Sequence, residues 1–366
     1  MRKTWIINAV CFICLLLVTC VKQVRVPVRN VKPILVVQGL VTTAPGPYTI
    51  NLSYSGPYTN SLQATQQDST YFISDAKVVI RDDQGDSTDC SYTSFGNYLS
   101  DDPQFIGTIG RTYTLAIYLS SGQEYLSKPE TIQAVPSIDS LSYGYDSAGL
   151  TNILPPPLIV TVNTHDPGNG PHYYRWAASG YYPRKSWGSP CNPFSDPPCT
   201  NPFMCTCNAF CEQQNTAPIE VNLFSNQLTG GKEIIEPVYY SPVYWFGIHY
   251  VQIDQYSLTL ESYQFWEQYL AQTDRTGSIL DPLPSPVIGN IYNAADSSDL
   301  ALGIFSASDV FEKKVVVVPF FLQEYELESV AGQYILPGDC HFAYPNSLPD
   351  ETAPAAWDSA QVINIY

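Results

Sequence analysis

An all-β fold carrying one amphipathic helix is what this sequence predicts, and three observations carry the prediction. A usage of 27 Tyr, 30 Pro and 22 Gly against 2 Met favours many short strands separated by turns. Runs such as ILVVQGL, YTINLSY and AKVVIRDD, from Ile34 onward, are each bounded by Gly, Pro or polar clusters. Only one stretch has helical spacing: Tyr263, Trp266 and Leu270 recur on one face, with Phe265 and Tyr269 as an i,i+4 pair. That helix is expected over about 260–273, with Gly277 as its stop, while Pro282, Pro284 and Pro286 forbid helix beyond. A lone helix among strand formers must pack on sheet. After it, a loop of Gly, Asn and Asp is expected to lead into the apolar run Leu300 to Phe305.

The amino terminus reads as a targeting segment. Arg2 and Lys3 open it, and Trp5 to Val18 is apolar but short for a membrane span. It ends Leu17-Val18-Thr19-Cys20, which resembles a bacterial lipoprotein signal. Residues 1–19 are then a signal peptide, Cys20 is the lipidated first residue, and 20–33 is a basic tether. Several acyl chains anchor firmly where one does not. The covalent lipid is the only attached group expected, with no cofactor and no metal.

Charge narrows the partners. The chain carries 17 basic against 34 acidic residues, and cleavage at Cys20 removes two of the former and none of the latter. Such a body does not suit nucleic acid, whose phosphates need cationic surface. It suits a water-facing body held off a bilayer by its tether. With 366 residues, 45% of them hydrophobic, it has length for two domains and material for a sizeable core.

Taken in order, the strands fall into two groups. The three runs above, the turn Asp82 to Asp86, a strand pair through Phe95-Gly96-Asn97-Tyr98, then TYTLAIYL and EYLSKPETI fill residues 34–136. This spacing describes an immunoglobulin-like or transthyretin-like sandwich. Its inward face by period two is Val78, Ile80, Tyr113, Leu115 and Ile117. Ala134 to Ser140 reads as a hinge. Beyond it LIVTVNTHD, YYRWAASGYY, IEVNLF, VYWFGIHYVQIDQY and KVVVVPFF are longer strands around the helix. Residues 137–366 are therefore expected to form a larger β-sandwich or half-open barrel.

Several of these segments together carry a resemblance: the first strand ILVVQGLVT, SDAKVVIRDDQG, GNYLSDDPQFIGTIGRTYTLAIYLSSGQEYLS, the junction VPSIDSLSY, then YQFWEQY, GSILDPLPSPVIGNI and LGIFSAS. With Cys20, they resemble in order the outer-membrane lipoproteins grouped as domain of unknown function 4249. The resemblance implies an envelope lipoprotein of Gram-negative bacteria, of a kind often encoded beside TonB-dependent outer-membrane receptors. It implies no catalytic residues.

Two constellations remain. Cys191, Cys199, Cys205, Cys207 and Cys211 crowd the Pro- and Asn-rich insertion 183–218, and Cys340 follows far downstream. In an oxidising envelope these are disulfide candidates, with Cys90 left as a buried free thiol on a strand. Zinc is the alternative for C-x-C-x3-C, but no His lies inside the insertion. The second is aromatic: Tyr239, Tyr240, Tyr244, Trp245, Phe246 and Tyr250 on one strand pair, with Trp187 near another. Both parities are aromatic, so part of the set must face outward as a ligand or partner surface. For catalysis the residues offer little. Ser74-Asp75-Ala76-Lys77 has Ser-x-x-Lys spacing at a strand start, where no helix aligns the pair. His165, His172, His249 and His341 are scattered. The expectation is a non-enzymatic outer-membrane lipoprotein serving a TonB-dependent transporter as a binding subunit. The competing one is a structural or adhesion component of the envelope.

Overall fold

A computed structural model describes residues 33–55, 71–145, 158–186, 209–214, 222–228, 232–240, 249–273, 286–296, 298–318 and 360–364. Among the described residues the protein is all-β with one α-helix. In chain order, β1 (Leu35–Thr42), β2 (Thr49–Tyr54), β3 (Lys77–Asp82), β4 (Ser87–Tyr92), β5 (Asn97–Ser100), β6 (Thr112–Tyr118), β7 (Glu124–Ser127) and β8 (Glu130–Thr131) make up most of one sheet. That sheet is completed by β16 (Ile288–Asn293) and β17 (Leu300–Ser308). Running β3-β4-β5-β2-β1-β17-β16-β7-β6 and back to β3, it closes on itself.

The sandwich expected over residues 34–136 is thus one curved sheet, and it does not close within that span. β17 pairs parallel with β1, Gly39 opposite Phe305, and β16 bridges β17 to β7. Ile288–Asn293, expected as loop, is strand. Its Gly and Asn sit at a register shift between Ile288 and Tyr292, where backbones crowd. A Cβ on Gly289 would stand 1.7 Å from the Gly303 carbonyl oxygen, and one on Gly303, at a φ of 86°, 1.9 Å from that of Val37. Only glycine fits there. The inward residues read from alternation, Val78, Ile80, Tyr113, Leu115 and Ile117, all lie in the barrel core with Leu52, Tyr98 and Phe305.

The second body is a sandwich. A three-stranded sheet, β14 (Glu233–Tyr240), β10 (Leu158–His165) and β9 (Ile138–Tyr145), faces a larger sheet. The latter runs β12 (Ala209–Gln214), β11 (Tyr173–Ser186), β15 (His249–Leu258), β18 (Val310–Val318) and β19 (Gln361–Asn364), with β13 (Asn222–Ser225) also on β11. Val160, Val162, Tyr174, Trp176, Ile253 and Val315 fill the space between them. Helix α1 (Leu260–Thr273) lies across the outer face of β11 and β15 and reaches β16 and β17 of the barrel. Its buried positions are Ser262 and Phe265, while Tyr269 points outward. The Gly277 stop lies outside the described residues.

The connection read as a hinge is clamped. Ser257 Oγ donates to the Gln133 carbonyl at 2.6 Å and Gln255 Nε2 to that of Pro136 at 2.7 Å. Asp309 accepts from Thr43 Oγ1 at 2.6 Å and from the Val135 amide at 2.9 Å. Cross-links of this kind from both bodies hold the joint in one arrangement.

Candidate functional site

The aromatic residues singled out from the sequence separate by parity. Tyr239 belongs to the sandwich core, whereas Tyr240, the next residue on β14, faces outward. Tyr250 is buried against Val316, with Tyr181 packed beside them. Of these three, only Tyr240 presents surface, so the expected patch is corrected at Tyr239 and Tyr250. Tyr239 has the side of its strand that the opposing sheet covers, while Tyr250 is buried among its neighbours on the other face of its own sheet. Trp187, Tyr244, Trp245 and Phe246 lie outside the described residues, as do Cys20, Cys191, Cys199, Cys205, Cys207 and Cys340. Cys211 falls on β12 opposite Arg184. Cys90 on β4 is a buried free thiol, and burial, then the charges of Asp101 and Asp89, push it up to about 12. It is therefore inert as a nucleophile near neutrality.

Among the described residues, two buried carboxylates, Glu130 and Asp166, carry dense hydrogen-bond networks. Glu130 of β8 lies at the amino end of α1. It accepts from Thr259 Oγ1 at 2.8 Å, Ser262 Oγ at 3.1 Å and Asn290 Nδ2 at 3.0 Å. Asn290 in turn spans to the Phe305 backbone, donating to its carbonyl at 2.7 Å and accepting from its amide at 3.0 Å. Burial raises Glu130 to about 7 against these hydrogen bonds. Asp166, after β10, is held by Tyr174 Oη at 2.7 Å, Asn226 Nδ2 at 2.9 Å and the Gly168 amide at 2.8 Å. His172 Nδ1 lies 3.0 Å from its Oδ2. Burial alone would raise Asp166, but these bonds outweigh it and hold the group at about 2. Both networks tie elements together.

A third charge is different. Arg175 of β11 is buried under α1, its guanidinium carbon 4.7 Å from the ring centre of Tyr256 and 4.9 Å from that of Trp266. Its Nε is sealed from solvent without an acceptor. Among the described residues no carboxylate stands within ion-pair distance of it. Along the same face the cross-strand pairs run Arg175–Tyr256, Ala177–Asp254, Ser179–Gln252 and Tyr181–Tyr250. Gln252 Nε2 donates to Asp254 Oδ1 at 2.9 Å and to Glu312 Oε2 at 2.8 Å. Burial raises Asp254, and the neighbouring Glu312 adds to the effect. No motif in the sequence marks this group. The alternation in YYRWAASGYY puts Arg175 opposite Tyr174 and Trp176, but only the fold lays α1 over it.

At the far end of the barrel from the sandwich, a cleft of about 560 Å³ opens beside Pro33, Ile34, Leu35, Tyr54, Tyr125 and Leu300. Its floor is fixed by Asp299, which accepts from Tyr125 Oη at 2.7 Å, Gln123 Nε2 at 3.2 Å and Asn293 Nδ2 at 2.9 Å. The chain enters β1 at this mouth, and parallel β17 starts at the same end.

These features define a two-body β protein: a closed barrel locked to a sandwich, with a cleft at one end and a helix-roofed charged face at the other. Residues 21–314 match the family described as Domain of unknown function (DUF4249), and the chain belongs to that family. No curated protein matches it.

Proposed function

We propose that this protein is a lipid-anchored, non-catalytic binding subunit of the outer membrane, working as an accessory to a TonB-dependent transporter. One observation carries the reading: the barrel cleft opens where the chain leaves β1 towards Cys20. Residues 20–33 reach about 45 Å at most when extended. A lipidated Cys20 would bring the cleft end of the barrel within that reach of the bilayer, with the sandwich at the barrel's other end. A mouth so placed meets a membrane-embedded partner before anything in solution. The acidic balance supports the same reading, since it disfavours direct adhesion to anionic lipid. The transporter as partner rests on the association implied by the family resemblance.

The test is co-purification from detergent-solubilised outer membrane, comparing the native chain with Cys20→Ala. The expected result is a stoichiometric transporter with the native chain, together with palmitate incorporation that Cys20→Ala abolishes. An unacylated mature chain, or an acylated one with no transporter at any detergent strength, overturns the proposal.

A further inference from the structure

We infer that the face beneath α1 is a ligand site for a carboxylate borne on a hydroxylated ring, with Arg175 as its anchor and Tyr256 and Trp266 as its stacking walls. A guanidinium is costly to bury unless acceptors take its hydrogens. Arg175 is only 8 % exposed, yet it has two ring faces and no acceptor among the described residues. Ring faces recognise the cation's flat surface and leave its N–H edge free. With Nε sealed, the Nη groups remain to meet an incoming oxygen pair. A planar fork held between rings is matched by a carboxylate, two oxygens to two N–H groups.

The surroundings narrow the ligand further. Asp254 opposes a second negative charge beside Arg175, whereas Glu312 is paired with Lys314 at 2.9 Å, and this balance favours a monoanion over a phosphate dianion. Their remaining acceptor positions suit ligand hydroxyls, as does the Gln252 side-chain carbonyl. Between Arg175 and Tyr181 the floor carries only the small side chains of Ala177 and Ser179, both half-buried. That stretch spans about 20 Å of strand, enough for two sugar rings. A uronic-acid sugar meets every condition: one carboxylate, several hydroxyls and a ring face for Trp266.

The inference goes beyond the anchoring proposal and does not depend on it, because it is tested on the intact purified chain in detergent, without membrane or transporter. Digalacturonate, glucuronate, benzoate, galactose and inorganic phosphate are titrated by calorimetry. Digalacturonate and glucuronate are expected to bind, benzoate more weakly for want of hydroxyls, and galactose and phosphate at least about tenfold more weakly than the sugar acids. Arg175→Met should lower sugar-acid affinity about tenfold or more, and Arg175→Lys by less, since it keeps the charge and loses the fork. Trp266→Ala should weaken binding several-fold. If Arg175→Met does not fold, the Arg175→Lys loss decides. Equal affinity for galactose, tighter binding of phosphate, unchanged affinity in the Arg175 variants, or no carboxylate binding would overturn the inference. Such a failure leaves co-purification with a transporter unaffected, and the reverse holds too.

Discussion

Glu130 and Arg175 are buried charges of opposite sign that meet the same helix, and they are treated in opposite ways. Glu130, at the amino end of α1, has three donors: Thr259 and Ser262 at the helix start and Asn290 on β16. Arg175, under Trp266 one turn further on, has only aromatic faces. A buried charge that holds a fold together is saturated, because each missing partner costs free energy. One left with open donors weakens the fold and keeps those donors for something that binds. The barrel–helix joint is therefore read as structural, and the sandwich–helix face is the one we propose for binding.

The comparison breaks most sharply at Glu130. Glu130→Ala strands the hydroxyls of Thr259 and Ser262 and the Asn290 amide in the interior, and should cost about 3 kcal/mol or more in urea unfolding. A stability profile against pH gives the next effect. Glu130 stands at about 7 in the fold against 4.5 ordinarily, so between those values the folded state holds a proton that the unfolded chain has released. Its contribution is full below about 4.5, falls as pH rises through the window, and is gone above about 7. The total is roughly 3 kcal/mol, and Glu130→Gln should remove this slope. Asp166 carries the opposite sign: its stabilisation is present above 3.8 and lost only as pH falls towards about 2. Arg175→Met, the counterpart, should raise stability by about 1–2 kcal/mol, as apolar replacements of poorly compensated buried charges do. Thr259→Ala comes next. It removes the cap that receives the Ser262 amide at 3.1 Å and should cost about 1 kcal/mol. Smallest is the exposed Lys128–Glu261 pair, where Lys128→Ala should change stability by at most about 0.5 kcal/mol.

How much of this was legible in the sequence follows from what each feature depends on. The inward face of β3 and β6 could be read from alternation, since Val78 and Ile80 pair directly with Ile117 and Leu115 in a nearby strand. The helix was equally plain from its aromatic spacing, but not which stripe would be buried. Ser262 is inside because Glu130 needs its hydroxyl, and that partner is distant in sequence. Barrel closure was hidden for the same reason. β1 and β17 are parallel strands separated in sequence by most of the barrel and most of the sandwich, and a Gly-Asn run such as IGNIYN resembles a loop until β7 and β17 flank it. Of the crowded aromatics, Tyr239 is in the sandwich core, Tyr240 is on the surface as expected, and Tyr250 is buried where surface was expected. Arg175 carried no local mark, because its meaning lies in what the fold fails to pair with it.

The urea midpoint of Arg175→Met against the native chain, without ligand, tests the central contrast most directly. A higher midpoint with an unchanged slope is predicted, since the variant removes a buried charge that has no hydrogen-bond acceptor among the described residues, and little contact area. A midpoint lowered as far as that of Glu130→Ala would contradict it and make Arg175 a part of the scaffold.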